Sequence, residues 1–272
     1  MIGGVVRLAL AVASAGLLGA APHASAPGAS APHVSGRPHR QQPPVATQAS
    51  GRTAVPWAVG ERLTYDVKFG PVKVGNATME VRGLEEVRGR EAYHTVLRIK
   101  GGTFLYKVDD LLESWIDTHT LNSLRFHKDQ NEGRREKEIM IELFPERQTF
   151  TENDKPEVPS VASPLDDGSF LFYVRTLPLR PGETYESSRY FRPDRNPVRI
   201  RVLRRERVTV PAGTFDAVVV QPSIKTKGIF SEGGRAEVWF SDDADRIMLQ
   251  MKSSLSFGSL NLYLKSRQAG TR

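Results

Sequence analysis

From Trp57 onward, apolar and polar residues alternate with a period of two. Leu63, Tyr65, Val67 and Phe69 alternate with Thr64, Asp66 and Lys68, and Tyr93, Thr95, Leu97 and Ile99 alternate with His94, Val96, Arg98 and Lys100. Ile139, Ile141 and Leu143 repeat the pattern around Met140 and Glu142. Side chains of an extended chain point to opposite faces in turn, so each run predicts a half-buried strand. Similar runs fall at 72–81, 104–117, 123–127, 148–151, 185–191, 198–210, 215–221, 236–240, 248–253 and 259–265, separated by Gly, Pro, Asn and Asp. About a dozen strands with short turns predict one antiparallel sheet system.

One segment breaks the pattern, and it predicts a helix over 164–176. Ser163 is placed to cap it, Pro164 suits its first turn, and Asp166 and Asp167 sit where the helix dipole favours negative charge. Phe170, Tyr173 and Val174 make an apolar face, while Gly168 weakens the segment. A lone helix amid strands must cover an open face or plug the mouth of an incomplete barrel. The fold class expected is therefore all-β with minor α: a curved antiparallel sheet or half-open β-barrel with one covering helix. Pro211-Ala212-Gly213, between two β-branched runs, reads as a hairpin turn.

The alternation is missing from residues 1–56, which hold Arg7, Arg37, Arg40 and Arg52 and no acidic residue. Arg7 precedes an uncharged stretch, residues 8–21, followed by Ala24-Ser25-Ala26, the pattern of a secretory signal. Fourteen residues span about 21 Å as a helix, short of the roughly 30 Å hydrocarbon core, so no permanent membrane span is expected. The expected organisation is a signal peptide over 1–26 cut within 20–31, an Ala/Pro/Ser/His linker over 27–56, one β-rich domain over 57–267 and a tail over 268–272. With no cysteine, disulfides, thiolate sites and a lipid-bearing cysteine are excluded. The expected location is periplasmic or secreted. Setting the leader and linker apart reduces the net charge from +7 to +3, with 34 Lys and Arg against 31 Asp and Glu, so no nucleic-acid partner is expected.

Several motifs then look familiar. Gly60-Glu-Arg-Leu-Thr-Tyr65-Asp-Val with Gly75-x-Ala77-Thr opens the set, followed by Tyr106-Lys-Val-Asp109-Asp110 with Glu113 and Leu124-Arg-Phe126. The 166–177 region, Val210-Pro-Ala-Gly-Thr-Phe215-Asp-Ala and Glu237-Val-Trp239-Phe-Ser-Asp242-Asp243 with Arg246 complete it. In this order the chain resembles a bacterial family of exported proteins known as domain of unknown function 3108. It departs at Met248, where similar proteins often carry a proline. The resemblance implies a curved, mostly antiparallel sheet, similar in outline to the half-open barrels of periplasmic lipoprotein carriers. It carries no established activity.

Chemistry is sparse. There is no Gly-x-Ser-x-Gly elbow, phosphate loop or dinucleotide fingerprint, and His94, His119 and His127 lack ligand spacing, so no metal and no cofactor is expected. Carboxylates are the candidate catalytic groups: Asp110, Glu113, Asp166 and Asp243, which would need to meet in pairs across one cleft to hydrolyse an envelope polysaccharide. Tyr65, Phe69, Trp115, Phe126 and Trp239, with Leu97, Ile99 and Phe257, are candidates to line a concave ligand groove, against the alternative that they fill an ordinary core. The leading expectation is an exported, non-catalytic binding or envelope-assembly protein holding a lipidic or glycan ligand. A hydrolase, and a scaffold that binds an envelope protein by a sheet edge, are the alternatives.

Overall fold

The computed structural model describes residues 51–103, 106–225, 236–255 and 258–271, so the leader, the linker up to residue 50 and Phe257 lie outside the described residues. The strands are β1 (Arg62–Phe69), β2 (Val72–Val87), β3 (Arg90–Thr103), β4 (Tyr106–Asp117), β5 (Ser123–Glu132), β6 (Arg135–Phe144), β7 (Thr149–Glu152) and β8 (Val158–Pro159). After helix α1 (Ser169–Arg175) come β9 (Thr184–Ser187), β10 (Val198–Val210), β11 (Gly213–Ser223), β12 (Glu237–Ser241), β13 (Met248–Leu255) and β14 (Gly258–Gln268). They form one sheet in the order β8-β7-β6-β5-β4-β3-β2-β1-β14-β13-β12-β11-β10-β9. Every strand pair is antiparallel, and β1 with β14 alone joins strands distant in sequence. Two meanders thus spread outward from the β1/β14 pair, the cheapest topology for strands joined by tight turns.

The sheet curls. One register row carries Val202, Val220, Val238, Met251, Leu262, Val67, Gly75, Gly101 and Val108 across β10–β14 and β1–β4 on what we call the inner face. Between β2 and β3 this row is closed by two glycines: a Cβ on Gly75 would lie 2.2 Å from the Lys100 carbonyl oxygen and one on Gly101 would lie 2.4 Å from that of Val74. Only glycine tolerates so close a backbone approach. The free edges meet through residues 160–198 rather than through a ladder: Phe150 on β7 packs edge-on against Phe191 at 5.0 Å, the Ser160 hydroxyl donates to the Phe191 carbonyl at 2.7 Å, and Arg192 pairs with Glu152. The result is barrel-like, with a seam of side chains.

Helix α1 closes the end of the sheet where β1 begins. Phe172 and Val174 are buried beside Trp57, Leu63, Tyr93 and Leu179. Arg175, also buried, is bidentate to Glu61 at 2.6 and 2.9 Å and donates to the Asp245 carbonyl at 2.8 Å. Phe170 and Tyr173 are only half-buried, so the apolar face is turned from the predicted one.

The helix is shorter than its sequence predicts. Ser163 does not cap it and Pro164 does not open it. Leu165 is held instead in a parallel bridge to Tyr190, and the Pro164 carbonyl accepts the Ser123 N–H at 2.8 Å. The cap is made by Asp166 and Ser169. Asp166 Oδ1 accepts the N–H groups of Gly168 and Ser169 at 2.8 Å each, and Ser169 Oγ accepts the Asp166 N–H at 2.8 Å. This reciprocal arrangement satisfies donors at the helix start that would otherwise be orphaned. The same 165–190 pairing explains why the strand predicted over 185–191 stops at Ser187: the Arg189 carbonyl and the Phe191 N–H are already bonded to Leu165. The Pro211-Ala212 turn does reverse the chain, with Val210 opposite Gly213.

Candidate functional site

The inner face is not uniform. On β1, β2 and β10–β14 it is apolar: Leu63, Tyr65, Val67, Ala77, Met79, Ile200, Val202, Val218, Val220, Val238, Phe240, Leu262 and Leu264 are all buried in one cluster with the helix. On β4–β6 the same face turns polar toward the β5–β6 turn. Alternation along β5 places Phe126, Lys128 and Gln130 inward, and along β6 it places Ile141, Ile139 and Lys137 inward, opposite them in register. On β4 the matching positions are Ser114, Leu112 and Asp110.

These polar groups form a ladder of depth. Lys137 is exposed, Gln130 is 8% exposed, Lys128 is 2% exposed and Asp110 is wholly buried. Asp110 Oδ1 accepts the Asn131 N–H at 3.1 Å, but its Oδ2 has no hydrogen-bond partner among the described residues. Burial pushes the Asp110 carboxyl above its ordinary range, against the pull of the Asn131 N–H, the Gln130 amide and the Lys128 charge. Lys128 Nζ also lies 4.0 Å from Asp167, whose Oδ1 accepts the Tyr190 hydroxyl at 2.7 Å. Burial raises Asp167 as well, and Lys128 opposes it first, followed by Tyr190, Arg195 and Arg192. The apolar neighbours of this cluster are Leu112, Phe126, Ile141, Val198 and Ile224. Buried polar groups without full partners cost free energy, so a half-satisfied carboxyl beside an apolar wall is the arrangement a ligand would complete.

The sequence candidates are divided by this geometry. Tyr65, Phe69, Phe126 and Asp110 lie on the inner face, where the Tyr65 hydroxyl donates to the Met248 carbonyl at 2.9 Å and Phe69 is half-buried at the end of β1. Trp115 and Trp239 do not line the concavity. Trp115 points outward between inward-facing Ser114 and Ile116; its Nε1–H donates to Glu85 at 2.7 Å and its ring stacks on His94 at 4.5 Å. Trp239 faces outward beside inward-facing Val238, donating to Glu206 at 2.5 Å with Lys252 5.2 Å from its ring. Trp239 still packs with the main apolar cluster from the outer side, and Trp115 packs with Val87, Ala92 and Leu124 in a smaller one, while Lys252 and Arg125 lie over the rings.

The four carboxylates do not share a cleft. Asp110 and Glu113 occupy opposite faces of β4. Asp166 caps the helix, accepting the Ser114 hydroxyl at 2.6 Å and the Ser123 hydroxyl besides. A Cβ on Gly168 would sit 2.5 Å from that Ser114 oxygen, so the glycine permits the contact. Burial pushes Asp166 up to about 6, opposed by the Ser114 and Ser123 hydroxyls. Asp243 organises the β12–β13 turn, its Oδ1 accepting the Ser241 hydroxyl and the N–H groups of Asp245 and Arg246 at 2.7, 3.0 and 3.0 Å.

Outside the barrel, Glu113 joins two imidazoles: His94 Nε2 lies 3.1 Å from Oε1 and His127 Nδ1 3.0 Å from Oε2. Glu85 and Glu138 take their other ring nitrogens at 2.8 and 3.0 Å. Burial pulls His127 down, but the Glu113 and Glu138 carboxylates leave it above its ordinary value. Among the described residues no cluster of three or more His, Asp or Glu has the geometry to hold a metal. A shallow outer hollow of about 420 Å³ beside this row is lined by Arg62, Arg82, Arg98 and Lys100, each already paired with Glu80, Asp109 or Glu113.

Sequence reasoning missed Lys128, Gln130 and Lys137. Their signal was present, because the period of two continues from Phe126 through Lys128 to Gln130, but with polar residues at the inward positions the run reads as a strand that has ended.

The sequence profile of the family described as Protein of unknown function (DUF3108) matches residues 64–265. None of the curated proteins matches the chain. Among solved structures, the β-barrel-like protein of domain of unknown function DUF1849 from Brucella abortus is 13% identical, covering 80% of this chain and 100% of that one with a TM-score of 0.54, a likeness of fold alone. A candidate lipoprotein from Parabacteroides distasonis is 12% identical over 79% of this chain and 98% of its own, with a TM-score of 0.37. A candidate exported protein with a YmcC-like fold from Bacteroides fragilis is 12% identical over 80% of this chain and 100% of its own, with a TM-score of 0.30. These two likenesses are too loose to carry an argument.

Proposed function

The chain belongs to the DUF3108 family of proteins of unknown function, and from that premise we propose that it is an exported, non-catalytic binding protein of the cell envelope whose ligand sits against the inner face of β4–β6. The observation that carries this reading is Asp110: a wholly buried carboxyl on the concave face with one oxygen unpartnered among the described residues. Its neighbours divide into an apolar wall (Leu112, Phe126, Ile224) and a polar ladder toward the β5–β6 turn. That division suits an amphiphile, with the chain of the ligand on the wall and its head on the ladder.

Export is supported by the uncharged apolar stretch of residues 8–21 and the small residues that follow it. No helix among the described residues is long and apolar enough to cross a membrane. Hydrolysis by paired carboxylates gains no support from a geometry that sends Asp110, Glu113, Asp166 and Asp243 to separate places.

The test is native mass spectrometry of the protein recovered from its own envelope, with solvent extraction of whatever it releases, beside the Asp110→Asn variant. The reading expects a stoichiometric adduct on the natural chain, lost or depleted on the variant. A bare natural chain that also fails to take up a fluorescent fatty acid overturns it. The N-terminal mass, expected to show a cut within residues 20–31, checks export on the same sample.

A further inference from the structure

The seam beside the polar ladder gathers cations. Lys128 and Lys137 occupy diagonal inward positions on β5 and β6, since Lys128 lies opposite Ile139 and Lys137 opposite Gln130; diagonal neighbours on one face are within reach of long side chains. Ile141, two positions along β6 from Ile139, faces Glu152 on β7, and Glu152 is bound by Arg192 and by Lys155 at 2.6 Å. Arg195, one turn after Arg192, stands 5.9 Å from the Tyr190 ring and within electrostatic reach of Asp167.

Two of these cations make no close ion pair. Glu152 is shared by Lys155 and Arg192, and Asp167 faces Lys128. Neither Lys137 nor Arg195 has an ion pair among the described residues, and Arg195 Nη1 is buried without a hydrogen-bond partner there. Leaving a buried guanidinium nitrogen unpaired is costly, and an anion reaching it beside the Lys137 ammonium would relieve that cost. Guanidinium and ammonium donors together suit the several oxygens of a phosphate.

We infer that the seam between β5–β7 and residues 190–195 is an anion site for a phosphate group, held by Arg195 and Lys137 with Lys128 and Arg192 behind them. The inference rests on the inner-face binding proposed above and adds the chemistry of the head: the ligand is phosphate-bearing, its phosphate at the seam, a hydroxyl of its head donating to Asp110 Oδ2, and its apolar part against Phe126, Leu112 and Ile224. Lys137 agrees with this, because partial burial first, and then the Lys128, Lys155 and Arg192 charges, hold its ammonium below its ordinary range, with Glu152 opposing. A bound phosphate would reverse that.

Calorimetric titration of the full chain with decyl phosphate, decanol and inorganic phosphate tests the site. Decyl phosphate is expected to bind at least tenfold more tightly than decanol, and Lys137→Gln and Arg195→Gln are each expected to erase most of that preference, while Lys155→Gln, a surface residue paired with Glu152, is expected to keep it. Inorganic phosphate binding as tightly as decyl phosphate, and lost in the same variants, supports the anion site and makes free phosphate its source. Equal binding of decanol and decyl phosphate overturns the anion site and leaves inner-face binding standing. Phosphate binding untouched by either Gln variant also overturns it. Failure of all three probes overturns the anion site and removes support for an amphiphile on the inner face.

Discussion

The two halves of the inner face are made by the same strand geometry and filled by opposite chemistry. On β1 and β10–β14 the inward positions are mostly Leu, Val, Ile, Met, Tyr and Phe, packed with α1, and the Tyr65 and Ser253 hydroxyls among them are satisfied by the Met248 and Leu260 carbonyls. On β4–β6 the inward positions run from Phe126 and Ile141 to Lys128, Gln130, Lys137 and Asp110. The first half is what a curved sheet needs to fold, since apolar area withdrawn from water is its main driving force. The second is more costly than an apolar filling would be. A fold that already has a sufficient core in one half can carry such a cost in the other, and sites that bind are where proteins commonly do so.

The apolar half and its helix plug should dominate stability. The largest effect is expected for Arg175→Met, which strands the buried Glu61 carboxylate: removing one partner of a buried pair costs about 3–5 kcal/mol. The double variant Glu61→Leu with Arg175→Met should recover much of the loss in denaturant titration, because no charge is then left uncompensated. Leu264→Ala, in the same core and fully buried, should cost about 2–5 kcal/mol by cavity formation, read from the same titration.

The helix cap supplies a pH signature. Asp166 is raised from 3.8 to about 6 by burial, so the folded chain holds its proton more tightly than the unfolded chain. That added stability is fully present below 3.8 and fades as pH rises through about 6. Across this window the natural chain should lose up to about 3 kcal/mol relative to Asp166→Asn, measured as unfolding free energy against pH. A difference independent of pH would place the titration elsewhere.

The smallest effect sharpens the contrast between inside and outside. Trp239→Phe removes an outward hydrogen bond to Glu206 and should cost about 1 kcal/mol in stability with ligand uptake unchanged. Loss of uptake would return Trp239 to the binding surface.

Much of this fold is legible in the chain because a period of two survives wherever one face of a strand is apolar. The runs at Leu63–Phe69, Tyr93–Ile99 and Val198–Val210 become β1, β3 and β10, and the two-residue turn at Pro211-Ala212 follows from local chemistry. The helix boundary was lost to a long-range contact: the Leu165 bridge to Tyr190 holds Pro164 and Leu165 in extended backbone, and no local preference announces it. The candidate site was legible only in part. Asp110, Tyr65, Phe69 and Phe126 can be named from the sequence, yet for Trp115 and Trp239 aromatic size suggests burial, in groove or core, without saying on which face. The face they take follows from the register: Ser114 and Ile116 point in, so Trp115 points out. Arg192 and Arg195 were beyond reach, since their approach to β5–β7 depends on how the seam closes.

The central claim is that the polar half is kept for binding at the expense of stability. It is tested most directly by measuring unfolding free energy and native-mass occupancy on the same preparations of the natural chain and Asp110→Asn, which retains an acceptor for the Asn131 N–H but removes the buried charge. The account predicts a variant as stable as the natural chain or more so, and empty of the adduct the natural chain carries. A variant that is less stable by more than about 2 kcal/mol, beyond the usual effect of an isosteric change, yet still carries the adduct would contradict it, because Asp110 would then be holding up the fold rather than waiting for a ligand.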